Sequence, residues 1–204
     1  NAYKFKYDLL FGRAEQKVDS PLMTIGIPRC LNMYEDFPFW HTLFTDCGIQ
    51  VCLSDASDFA GYERCARMVM SDNICFPAKL VHSHIESLAA RKVDRIFMPF
   101  VIFEKQGDEQ NCFNCPVVTG YSEVIKSVQG SKVPVDSPAI SFKNKKLLLR
   151  QCTKYLSTLG IDDSTVEKAF RHAVSVEEHS ASELAAHNKA ILSDATRAGR
   201  FTVM

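Results

Sequence analysis

Two cysteines in this chain stand where a thiol can do chemistry. Cys75 opens the string Cys75-Phe76-Pro77-Ala78-Lys79, immediately ahead of a helical pattern. Cys115 closes Asn111-Cys112-Phe113-Asn114-Cys115-Pro116, in a loop ahead of another helix. A helix N-terminus presents free N–H groups and a partial positive charge. That setting favours the thiolate, the form that binds metal. Two such thiols on neighbouring loops of one sheet point to part of an iron–sulfur site.

In open α/β sheets, ligands bind beyond the carboxyl ends of the strands. The loop at 29–34 follows a first predicted strand and carries Cys30. The loop at 104–116 follows a third and carries Cys112 and Cys115. If the segment around Cys75 curls over the same edge, Cys30, Cys75, Cys112 and Cys115 converge. Cys112 and Cys115 form a single C-x-x-C, a spacing shared by zinc sites, dithiol redox sites and clusters. A full structural zinc site wants a second such pair, and the sequence has none. Cys30 is as well explained by packing as by ligation.

The other cysteines read as packing residues. Cys52 lies mid-strand, Cys152 lies on an apolar helix face, and Cys47 and Cys65 sit where helices pack. His82 and His84 are two apart on a helix, so they point roughly 200° from each other and cannot readily share an ion. They read as helix-flank residues, with His82 and Glu86 placed for a surface pair at i, i+4. Arg29 and Lys79 either offset the charge of an anionic group or face solvent. No G-x-G-x-x-G, G-x-x-x-x-G-K-[ST] or G-x-S-x-G occurs, which argues against a familiar Gly-rich nucleotide site.

The elements that must position these residues follow from periodicity. Residues 1–20 are polar and mixed and read as a lead-in or linker. Met23–Pro28 and Ile49–Leu53 are short apolar runs suited to buried strands. Between them, Phe37, Trp40 and Phe44 recur at helical spacing up to Gly48. A short helix is expected around Tyr62–Arg67. Pro77–Arg91 is a helix with proline near its start and Val81, Ile85 and Leu88 on one face. Val93–Phe103 reads as one buried strand, Val117–Val128 as a strand-to-helix stretch, and Val133-Pro134-Val135 as a short fourth strand. Such alternation predicts an α/β domain over residues 21–140, a parallel Rossmann-like sheet with helices on both faces. Residues 141–204 read as a helical extension. It includes a capping box at Ser164 and Glu167, and continues into a second half outside this sequence.

Composition narrows the class. Lys+Arg and Asp+Glu are both 24, so formal net charge is zero, which argues against a nucleic-acid partner. No stretch has the apolar length to span a bilayer, and no signal peptide is apparent, so neither membrane nor export is expected. The eight cysteines are irregularly spaced in a chain too long to need disulfide staples. They are expected to be reduced in the cytoplasm. The start at Asn1-Ala2 reads as a tag scar on a piece of a longer protein.

Taken as a set, four strings resemble one family. They are Ile25-Gly-Ile-Pro-Arg-Cys-Leu-Asn-Met-Tyr-Glu35, Pro38-Phe-Trp-His41, Cys75-Phe-Pro-Ala-Lys-Leu-Val-His82 and Asn114-Cys-Pro116. They resemble the uncharacterised cysteine-containing domain of long activator proteins related to 2-hydroxyacyl-CoA dehydratase activases. That domain is akin to double-cubane cluster proteins. The resemblance runs from about Leu22 towards the C-terminus. It implies a partner in an actin-like ATPase domain, on the same or another chain, and a dehydratase or reductase that receives electrons at low potential. It also implies Cys75 and Cys115 as thiolates of a 4Fe–4S or double-cubane cluster, and transfers no role to Cys30. The phosphate-binding signatures of an actin-like fold are lacking, so the ATPase lies elsewhere. The leading expectation is therefore a non-ATPase part of an ATP-dependent activase system that contributes cluster ligands. Two others stand beside it: a metal-free scaffold that docks partner domains, and a thiol redox or zinc module at Cys112 and Cys115.

Overall fold

The computed structural model describes residues 2–105, 113–128 and 133–201. Its centre is a parallel sheet. Strands β1 (Thr24–Ile27), β2 (Gln50–Leu53), β3 (Arg95–Phe97) and β5 (Val135–Asp136) lie in the order β2-β1-β3-β5. Strands β4 (Phe100–Phe103) and β6 (Ala139–Ser141) form a second parallel pair. The run read as one strand from Val93 to Phe103 is thus two strands, broken at Met98-Pro99. Proline has no N–H to give a ladder. Met98 N–H donates to the Asp136 carbonyl (2.8 Å) and Phe100 N–H to the Pro138 carbonyl (3.0 Å), which keeps the two pairs in line across the break.

Strand period two sorts side chains to opposite faces. Ile25, Ile27, Val51, Leu53 and Phe97 join one core, while Ile96 and Cys52 join the other. Over the first lie α1 (Ala2–Phe11), α2 (Met33–Asp46), α6 (Lys145–Ser157) and α7 (Asp163–Arg197). Over the second lie α4 (Phe76–Ala90) and α5 (Pro116–Val128), with α3 (Phe59–Cys65) packed on α4. Gly26 permits the close approach of α4: a Cβ there would meet Val93 Cγ2 at 2.9 Å and Leu88 Cδ2 at 3.0 Å.

Several local readings are revised. The stretch expected as a lead-in carries α1, whose Leu10 and Phe11 are buried and which packs on α2 and α7. The strand-to-helix stretch near Val117 is helical throughout. The long C-terminal helix is capped by Asp162, whose side chain accepts the Thr165 N–H, and not by a Ser164–Glu167 box. Residues 163–197 form one helix, the long extension that its lack of internal Gly or Pro allows. No helix of the described residues is long and apolar enough to cross a membrane.

Helix α2 runs through Pro38. An internal proline removes one intrahelical bond and clashes with the carbonyl four residues back. The following amide, Phe39 N–H, donates instead to Glu177 Oε2 on α7 (3.1 Å). Lys105, just after β4, bridges that Glu177 and the fully buried Asp36 of α2. Burial pushes Asp36 up to about 8 despite Lys105 beside it.

Candidate functional site

The N-termini of α4 and α5 lie at the carboxyl edge of the sheet, where they meet the loop after β1. Pro77 of α4, Val118 of α5, and Leu31, Asn32, Glu35, Glu104, Lys105 and Asn114 line a cleft of about 520 Å³. Cys75 is the N-cap of α4 and Cys115 immediately precedes α5; both thiols are exposed. The carbonyl of Cys75 accepts the Ala78 N–H (3.1 Å), and that of Cys115 accepts the Thr119 N–H (3.0 Å), so each cysteine opens its helix. Proline at the first turns fits both starts, because the missing N–H would have had no partner there.

Asparagines hold the walls. Asn114 Nδ2 donates to Glu104 Oε1 (2.7 Å) and to the Val101 carbonyl (3.2 Å), fixing the residue next to Cys115 against β4. Asn32 Nδ2 donates to the same Glu104 oxygen (2.8 Å), tying the β1 loop to that wall. On the other side, Lys79 Nζ donates to the Asp72 carbonyl (2.8 Å), and Phe76 packs edge-on against Tyr62 (5.0 Å), steadying the segment around Cys75.

Cys30 lies with α4 and α5, buried beside Met98 and Tyr121. Burial pushes its thiol well above the ordinary cysteine range. It lines two smaller pockets that share Leu31 with the main cleft. Leu31 itself has φ +49°, a left-handed conformation costly for a branched side chain. Cys112 lies outside the described residues. Cys75 and Cys115 thus stand at the starts of α4 and α5, each one or two residues from the cleft-lining Pro77 and Asn114, and Cys30 is buried between those helices and the sheet. Among the described residues, no group of three or more His, Cys, Asp and Glu is placed to hold a metal ion.

Cys47, Cys65 and Cys152 are buried as expected, and Cys52 is half-buried. The histidine reading changes. His82 and His84 are buried rather than on helix flanks. His82 Nε2 meets the Tyr121 hydroxyl of α5 at 3.1 Å. His84, on the opposite side of α4, lies between the Ser54 and Ser57 hydroxyls. Glu86 pairs with Cys65 and Arg64 instead of His82. Arg29 is not a free surface cation: it donates to the Tyr7 hydroxyl and the Ser54 carbonyl (3.0 Å), and lies over the Tyr7 and Phe11 rings.

A parallel sheet covered on both faces, with its cleft at the strands' carboxyl edge, defines an α/β Rossmann-like domain. The family model of the CoA enzyme activase uncharacterised domain matches residues 24–204, and the chain belongs to that family. No curated protein and no solved structure matches it.

Proposed function

We propose that this domain supplies part of an iron–sulfur site in a CoA enzyme activase system, with Cys75 and Cys115 as its thiolate ligands. One observation carries the reading: two exposed thiols stand at the starts of the adjacent helices α4 and α5, whose first turns line one cleft through Pro77 and Val118. The donor chemistry fits, since soft thiolates suit iron–sulfur clusters and two helix N-termini favour negative charge. The fit is to half a ligand set. Cys30 is the next thiol, but it must lose a proton held by burial. Cys112 lies close by in sequence.

Such a cluster would supply one-electron transfer at low potential. The chain's own part is positional. Asn114 and Asn32 hold the wall beside Cys115 through Glu104, while the Lys79 and Phe76 contacts steady Cys75. The partners of this reading are an actin-like ATPase domain that drives the electron and a dehydratase or reductase that accepts it.

Anaerobic reconstitution with iron and sulfide tests it, read by bound iron, visible absorption and low-temperature EPR. Iron uptake with a brown chromophore, lost in both Cys75→Ser and Cys115→Ser, is the expected result. Uptake indifferent to both substitutions, or none at all in the full-length protein, would overturn it. The second outcome leaves the metal-free docking scaffold. Zinc binding or a Cys112–Cys115 disulfide, with Cys75→Ser harmless, would favour the thiol module.

A further inference from the structure

The pocket on the other side of Leu31 contains chemistry that needs no metal. It measures about 300 Å³ and is lined by Ser57, Arg29 and Tyr34, with apolar walls from Leu31, Pro77 and Leu80. Ser57, exposed in the loop after β2, has its Oγ 2.9 Å from His84 Nε2. The other ring nitrogen, Nδ1, lies 2.8 Å from Ser54 Oγ. The imidazole itself is buried.

The surroundings assign the tautomer. Ser54 Oγ accepts the Arg29 backbone N–H (2.8 Å) and directs its own proton to the Asp55 carbonyl (3.4 Å). In that arrangement Ser54 Oγ accepts from His84 Nδ1–H. Nε2 then carries the lone pair and faces the Ser57 hydroxyl as an acceptor. This is the arrangement a hydroxyl nucleophile needs: a base within hydrogen-bond reach, oriented by a third group. Burial holds His84 down to about 4, so the ring is neutral near pH 7. Arg29 adds a cation at the pocket wall.

We propose that Ser57 and His84 act as nucleophile and base in acyl transfer, with Ser54 positioning the imidazole. The substrate class is a small activated ester or thioester whose apolar acyl group fits against Leu31, Pro77 and Leu80. The Ser57 Oγ–C bond forms and the C–O or C–S bond to the leaving group breaks. The hydroxyl proton passes through His84 Nε2 to that leaving group. Water then cleaves the acyl-serine, releasing the acid and restoring Ser57. The activity is independent of any cluster at Cys75 and Cys115.

A fluorophosphonate probe tests this directly. The Ser57 Oγ–P bond forms, the P–F bond breaks, and fluoride leaves as His84 takes the proton. Intact mass and peptide mapping should show one adduct on Ser57, absent in Ser57→Ala and retained in Ser127→Ala. Ser57 is exposed, so its alanine variant should keep the far-UV circular dichroism of the parent. In folded His84→Gln, labelling should slow by about 10²-fold or more, and hydrolysis of p-nitrophenyl acetate should fall with it. The proposal fails if Ser57 in the parent labels no faster than the helix-surface Ser127. It also fails if folded His84→Gln labels at the parental rate.

Discussion

The two faces of the sheet are built from different materials. The face under α2, α6 and α7 is aromatic: Phe37, Phe39, Trp40, Phe44, Phe97 and Phe142 pack ring against ring, with centroids 4.7–6.2 Å apart in the pairs through Trp40. The face under α4 and α5 is thinner. It mixes Ala78, Val81, Ile85 and Leu88 with Cys30, Tyr121 and two buried histidines. Aromatic burial supplies stability at little chemical risk. Buried polar groups need partners: His82 finds Tyr121 and His84 finds Ser54 and Ser57 on this side, while Asp36 finds Lys105 on the other. The difference places stability on one side of the sheet and the candidate chemistry on the other.

The sharpest way to break that contrast is a matched pair of core truncations. Leu43→Ala under the aromatic face should cost about 5 kcal/mol, whereas Leu88→Ala on the thinner face should cost about 2 kcal/mol, the two ends of the range for truncating a buried leucine. Urea denaturation measures both. Equal losses would mean that the two faces share the stabilising load.

How much of this was legible in the chain depends on the range of the interaction. Phe37, Trp40 and Phe44, and likewise Val81, Ile85 and Leu88, announced their helices because amphipathic period is a local signal. That Cys75 and Cys115 each stand at a helix start was legible, because helix starts are local too. Helix α1 was not: its only buried residues are Leu10 and Phe11, and its anchors, Arg29 and α7, are remote in sequence. The burial of the histidines was hidden for the same reason. Their separation of roughly 200° on α4 is local, but α4 is covered on both sides, by Tyr121 and by the Ser54–Ser57 loop. The Asp36–Lys105–Glu177 cluster joins three distant segments and left no motif to find.

Acid titration sharpens the comparison next, because each face holds a neutral histidine. Burial lowers His41 under α2 to about 4, with Arg13 assisting, and lowers His84 likewise to about 4. The unfolded chain binds protons more readily between pH 6.5 and 4. Stability is therefore fully present above 6.5 and is lost as pH falls through 4, on the order of 3 kcal/mol per histidine. Asp36 works in the opposite sense: its stabilisation is present at low pH and is lost as pH rises through about 8. As pH is lowered from 7 to 4.5, melting temperature should fall less steeply in His84→Gln than in the parent. An unchanged slope would show that the imidazole is already solvated in the native state.

The smallest expected effect concerns the cysteines themselves. Cys75 and Cys115 are exposed and support no core, so either serine variant should stay within about 0.5 kcal/mol of the parent in the absence of metal. Cys152 is buried among the apolar residues of the aromatic face, where burial also pushes its thiol up. A serine hydroxyl placed there without a partner should cost about 1–3 kcal/mol. Urea midpoints of the three variants make the comparison. If Cys75→Ser or Cys115→Ser destabilises the metal-free chain as much as Cys152→Ser, the two exposed thiols are structural residues. Loss of iron in those variants would then report unfolding and not the loss of a ligand.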